Sequence, residues 1–70
     1  MRPRYEVKDK VLCYEPDKTK ARVLYDATIQ EVDESDPSQV LYLVHFKNWN
    51  QAHDRWVDDE LILDPTDQVF

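Results

Sequence analysis

The chain has 70 residues, so it holds one small domain at most, since typical domains run to roughly 100–150 residues. A chain this short buries about 60% of the surface its unfolded form exposes, which leaves room for one layer of core and a shallow site rather than a deep enzyme cleft. Apolar residues make up 41% and the net charge is −6, a balance that suits a folded soluble unit with a cationic partner and disfavours broad wrapping of nucleic acid.

In chain order, Val11-Leu12-Cys13-Tyr14 is short, apolar and β-branched or aromatic, and Glu15-Pro16-Asp17 stops it. That predicts a first strand. Residues 16–22 form a polar connection rich in Lys and Arg. Residues 23–32 predict a second strand, with Tyr25, Ala27 and Ile29 on one face and Thr28 and Gln30 on the other. Residues 33–39 are acidic, contain Ser and Pro, and read as a loop. Residues 40–46 are the strongest strand, with Leu41, Leu43 and His45 on one face against Val40, Tyr42, Val44 and Phe46 on the other. A turn is expected over residues 47–50, then a fourth strand at Arg55-Trp56-Val57. Acids at Asp58, Asp59 and Glu60 precede Leu61-Ile62-Leu63, which predicts one or two helical turns that Asp64-Pro65 ends.

The chain contains no glycine. Turns that need a positive φ must then use the next most tolerant residues, and Asn48 and Asn50 sit where a turn is required. Short strands at close spacing predict a strongly bent sheet or small barrel, mainly β, over a single domain of residues 1–70. Alternation places Val11 or Leu12, Cys13, Ala27, Ile29, Leu41, Leu43, Val57, Leu61 and Ile62 in the core. His45 shares the face of Leu41 and Leu43 and reads as a hydrogen-bonded core histidine. Trp56, between two strand residues, reads as core as well.

The charge is uneven. Residues 1–22 carry seven of the nine basic side chains against four acids, and the rest carries two against eleven. The longest apolar run, residues 40–44, is too short to span a membrane. No apolar stretch follows Arg4, so no secretory signal is expected. The single cysteine, Cys13, cannot form an internal disulfide and fits a reducing compartment.

Catalysis finds little support. Cys13 lies mid-strand in an apolar run and reads as core, without an oriented histidine base. His45 and His53 are too few for an ordinary metal site, the acidic loop lacks the pattern of a calcium loop, and no glycine-rich phosphate loop can exist. No enzyme activity, metal or cofactor is expected.

What remains is an aromatic cluster. Phe46, Trp49, His53 and Trp56 follow one another at intervals of three, four and three residues around one turn. Trp49 lies between two asparagines, where burial in a central core is hard, so a partly open aromatic wall is expected there. Ring faces attract cations, most strongly Trp with a desolvated cation. A methylated lysine fits, because methyl groups lower its desolvation cost and leave its charge.

Residues 11–27, from Val11-Leu12-Cys13-Tyr14 to Tyr25-Asp26-Ala27, together with Val44-His45-Phe46-Lys47-Asn48-Trp49-Asn50 and Asp54-Arg55-Trp56, resemble the chromo barrel domain of the MRG family. The resemblance is nearest to the male-specific-lethal-three type and covers roughly residues 5–63. It implies a small bent SH3-like or chromo barrel with a short C-terminal helix, as the N-terminal module of a longer nuclear chromatin protein. It also implies binding of a methylated lysine on the tail of histone four or histone three, in a cage of Tyr25, Phe46, Trp49 and His53. The domain would be monomeric and would target a histone-modifying complex, of the acetyltransferase and dosage-compensation type or the deacetylase type.

Two positions depart from the family pattern. His53 stands where the family usually has Trp, and Asn48 replaces a glycine. Neutral histidine is a smaller, weaker wall, and a protonated one repels the ligand; an exposed turn residue is the alternative reading of His53. The resemblance extends to a nucleosomal DNA contact through Lys18, Lys20 and Arg22, opposed by Glu15 and Asp17 in the same loop. A carboxylate beside the cage, Glu15 or Asp26, would favour lower methylation by accepting the remaining N–H. The alternative function is a nucleic-acid-binding or protein-scaffold barrel with a degenerate cage.

Overall fold

The computed structural model describes residues 4–65. Five strands form one antiparallel sheet: β1 Lys10–Tyr14, β2 Leu24–Asp33, β3 Leu41–Phe46, β4 Arg55–Val57 and β5 Ile62–Leu63. Their order across the sheet is β4-β3-β2-β1-β5. Single 3₁₀ turns at Gln51–His53 and Asp59–Leu61 flank β4. The tail differs from the sequence expectation. Asp58 caps only one 3₁₀ turn by accepting from the Glu60 amide, and Ile62 and Leu63 then join β1 as a fifth strand. No longer helix follows among the described residues. Ile62 pairs with Cys13, and its burial there outweighs a helical continuation.

Register fixes which side chains share a face. Cys13 stands opposite Tyr25, Val11 opposite Ala27, Ala27 opposite Phe46 and Ile29 opposite Val44. All of these but Tyr25 are buried, and Tyr25 is half-buried at the end of the row. A bulge between Ile29 and Glu31 then shifts the register, so that Val32 meets Tyr42. Such a bulge bends the strand and increases its twist, which lets a single sheet curl over its own core.

The face assigned to β3 is corrected. Tyr42, Val44 and Phe46 point inward, while Leu41, Leu43 and His45 lie half-buried on the outer face. Both faces of this strand are apolar, so alternation alone does not choose between them. Pairing with the Ala27–Ile29 row does. Trp56 is corrected with them: it stands opposite Leu43 on the outer face and is 48% exposed. Its neighbour Val57 faces inward opposite Tyr42, and strand alternation turns the indole out. Leu61 is partly buried and packs against the core, while Leu12, half-buried, leaves Val11 as the core residue of that pair.

Tyr5 is buried too, although no strand pattern marks it. Its ring meets Tyr42 edge-on at 5.5 Å, and its hydroxyl donates to the Ile62 carbonyl. The chain reaches β1 through a turn in which the Asp9 amide donates to the Glu6 carbonyl and Lys8 takes a φ of 76°. Asn48 takes the other positive φ, 67°, as expected, whereas Asn50 is extended and caps the next turn.

Candidate functional site

One end of the curled sheet gathers four rings. Tyr25 continues the inward row of β2 to its first residues, and Phe46 ends the inward row of β3. Because β2 and β3 run antiparallel, these two positions meet at the same end. Their rings lie 5.4 Å apart at 71°. The turn after β3 is closed by the Trp49 amide donating to the Phe46 carbonyl, and the left-handed Asn48 folds it tightly. This brings the Trp49 indole back over the strand ends, 5.1 Å from Tyr25 and 5.5 Å from Phe46. The 3₁₀ turn then carries His53 edge-on to Trp49 at 5.3 Å and 86°.

The four rings border an open recess of about 310 Å³. Phe46, 3% exposed, forms its floor, and Trp49, 39% exposed, forms a wall. Glu15, Asp17, Lys20 and Arg55 complete the rim. Their presence follows from the topology. Glu15 leaves β1 at the end where β2 begins, with its amide bonded to the Val23 carbonyl. Arg55 opens β4 opposite Val44, in the inward phase.

Glu15 is fixed at both oxygens. Tyr25 donates its hydroxyl to Oε1 at 3.1 Å, and the Asp17 amide donates to Oε2 at 2.9 Å. Desolvation, and then the bond to Glu15 and its charge, push the Tyr25 phenol above its ordinary range, so the ring stays neutral and electron-rich. Asp17 is held below the usual carboxylate range chiefly by hydrogen bonds from the Thr19 side chain and amide. Burial, and then Glu15, push the Cys13 thiol up to about 12. That thiol is an inert core group.

All four of the rings named from sequence therefore meet around one opening. The basic trio does not share one position. Lys20 lines the recess, while the Arg22 guanidinium folds over the Tyr14 ring at 4.3 Å and Lys18 is exposed. Of the two carboxylates named for the rim, only Glu15 is there. Asp26 alternates to the outer face and borders a second recess with His45 and Lys47. His45 is hydrogen-bonded, as expected, but on that outer face, where Nδ1 lies 2.8 Å from Asp54 Oδ1. Arg55 carried no sequence signal as a rim residue beyond its place at the start of β4, and Asp17 none beyond its place in the loop after β1.

A family model for MSL3 chromodomain-like domains matches residues 5–69. The chain belongs to that family. Mouse MSL complex subunit 3 is 52% identical over 64 residues, which cover 86% of this chain and 12% of that protein. The solved Drosophila MSL3 chromodomain superposes with a TM-score of 0.83 at 32% identity, over 97% of this chain and 83% of that one. The crystal structure titled Tbtudor gives a TM-score of 0.71 at 28% identity, over 86% of this chain and 93% of that one. This MSL3 chromodomain-like chain spans a small part of its longer relative, and the small barrel expected from sequence is the fold it adopts.

Proposed function

We propose that this chain is a chromatin reader module that binds a methylated lysine on a histone tail through Tyr25, Phe46, Trp49 and His53. It acts as a binding domain rather than an enzyme. One observation carries the reading: four rings converge on an open recess with a fixed carboxylate at its rim. Ring faces attract a cation that has lost part of its water, by roughly 0.5–2 kcal/mol for each good contact. A methylated ammonium sheds water at low cost and fills the space between the rings.

Glu15 sets the preferred methylation state in this reading. Its oxygens already accept two hydrogen bonds, and a carboxylate has about four acceptor positions. An N–H of a mono- or dimethyl ammonium can take another, whereas a trimethyl ammonium has none to give. The likeness to an MSL complex subunit supports a role in the nucleus, as one module of a longer protein that targets a histone-modifying complex. Lys18 and Lys20 add an auxiliary contact to nucleosomal DNA.

Calorimetric titration with histone-four and histone-three tail peptides, methylated and unmethylated, tests the reading. Methylated peptides should bind tighter, and Trp49→Ala should abolish the difference. Equal binding of both forms to the wild-type chain would falsify the cage.

A further inference from the structure

The ring of His53 stands on a turn that cannot hold itself. Gln51–His53 is a single 3₁₀ turn with no buried residue. Such a turn closes few bonds of its own, so its side chains are placed by what clamps its ends. At the start, Asn50 Oδ1 accepts from the Ala52 amide at 2.9 Å. At the end, Arg55 Nη1 donates to the carbonyls of Ala52 and Asp54. Both of these contacts are exposed to water, which competes for them.

The third clamp is sheltered. His45 Nδ1 lies 2.8 Å from Asp54 Oδ1, with the two side chains 26% and 18% exposed. A carboxylate oxygen accepts, so Nδ1 is the donor, and a short charge-assisted bond of this kind is among the stronger ones available. It ties the residue directly after His53 to the rigid strand β3. Neither partner borders the aromatic recess. His45 lies on the outer face of β3 and borders the second recess.

We propose that His45 and Asp54 are positioning residues that act through His53: their hydrogen bond fixes the end of the 3₁₀ turn and holds the imidazole edge-on to Trp49. The inference rests on the cage reading, and it assigns a role in ligand affinity to two side chains that touch no ligand. With the clasp closed, the fourth wall is in place before the ligand arrives. With the clasp broken, ordering that one side chain opposes binding by about five-fold in affinity.

The test is a double-mutant cycle. Asp54→Ala and His45→Phe, which remove the acceptor and the donor of the clasp, are titrated with a dimethyl-lysine tail peptide, each in the wild-type and in the His53→Ala background. Each substitution should weaken binding about five-fold in the wild type and leave the His53→Ala chain unchanged. In the ligand-free variants, the His53 ring protons should lose the shift that the Trp49 ring current gives them, read by NMR on chains with native circular dichroism. An equal loss of affinity in both backgrounds overturns the proposal, as does an unchanged His53 shift or a failure of both variants to fold. Trp49→Ala separates the two layers. If it leaves methyl discrimination intact, the cage reading fails; if it abolishes discrimination while Asp54→Ala has no effect, only the clasp fails.

Discussion

The phenol of Tyr25 and the carboxylate of Glu15 are joined across 3.1 Å at the mouth of the aromatic recess, so a ring wall and an acceptor are set by one contact. Glu15→Gln keeps the size and the bond to Tyr25 but removes the charge and the acceptor for the Asp17 amide. Mono- and dimethyl peptides should lose roughly five-fold or more in affinity, as expected for a hydrogen bond to a charged group, while trimethyl peptides lose less. Peptide titrations at the three methylation levels check this. A uniform loss across all three would remove Glu15 as the selector.

Histidine gives the cage a small fourth wall, set edge-on to Trp49. His53→Trp should bind a methylated peptide more tightly, because it adds ring face to the recess, and His53→Ala should bind it more weakly. Peptide titrations of the three chains check this. Equal affinity in all three would take His53 out of the cage.

Lys20 borders the recess and Lys18 is exposed in the same loop, whereas Arg22 is stacked over Tyr14. Reversing Lys18 and Lys20 to Glu should weaken binding to duplex DNA and lower its salt slope by about 0.9 per lost phosphate contact. Arg22→Glu should do less, since its guanidinium is stacked. Fluorescence anisotropy at several salt concentrations reads all three. If Arg22 proves the strongest of the three, the division of the loop described above is wrong.

Cys13 is buried, with its thiol raised to about 12. The folded chain should resist iodoacetamide at pH 8, and labelling should follow unfolding in denaturant. The native state holds its proton where the unfolded thiol releases it. Stability from this group is therefore full below the ordinary thiol range near pH 8.5 and declines as the pH rises towards 12. Denaturant midpoints at pH 7 and pH 10, with Cys13→Ala as the control, measure the decline.

Much of the site was legible because it depends on short-range spacing. Phe46, Trp49 and His53 are brought together by one tight turn and one 3₁₀ turn, both marked by Asn48 and Asn50. Tyr25 joins them through strand phase, and the resemblance to the family supplied that pairing. The β3 face was hidden because Leu41, Leu43, Tyr42, Val44 and Phe46 are apolar on both sides, and only cross-strand register decides. Trp56 followed the same register outward. Tyr5 was missed because it reaches the core from a turn, where no periodicity exists. Lys8 in a left-handed turn was missed for a related reason. Without glycine in the chain, a residue with no turn preference takes that conformation, at a cost of roughly 1 kcal/mol. Glu15 was visible as a candidate only beside Asp26, until alternation along β2 sent Asp26 to the other side.

The sheet's two margins are β4, three residues long, and β5, two residues long. Long, flat margins are where separate molecules zip together into growing ribbons. Here neither border offers a full repeat of backbone donors and acceptors for a neighbouring copy to follow. The short borders therefore give a second copy little backbone on which to extend the sheet.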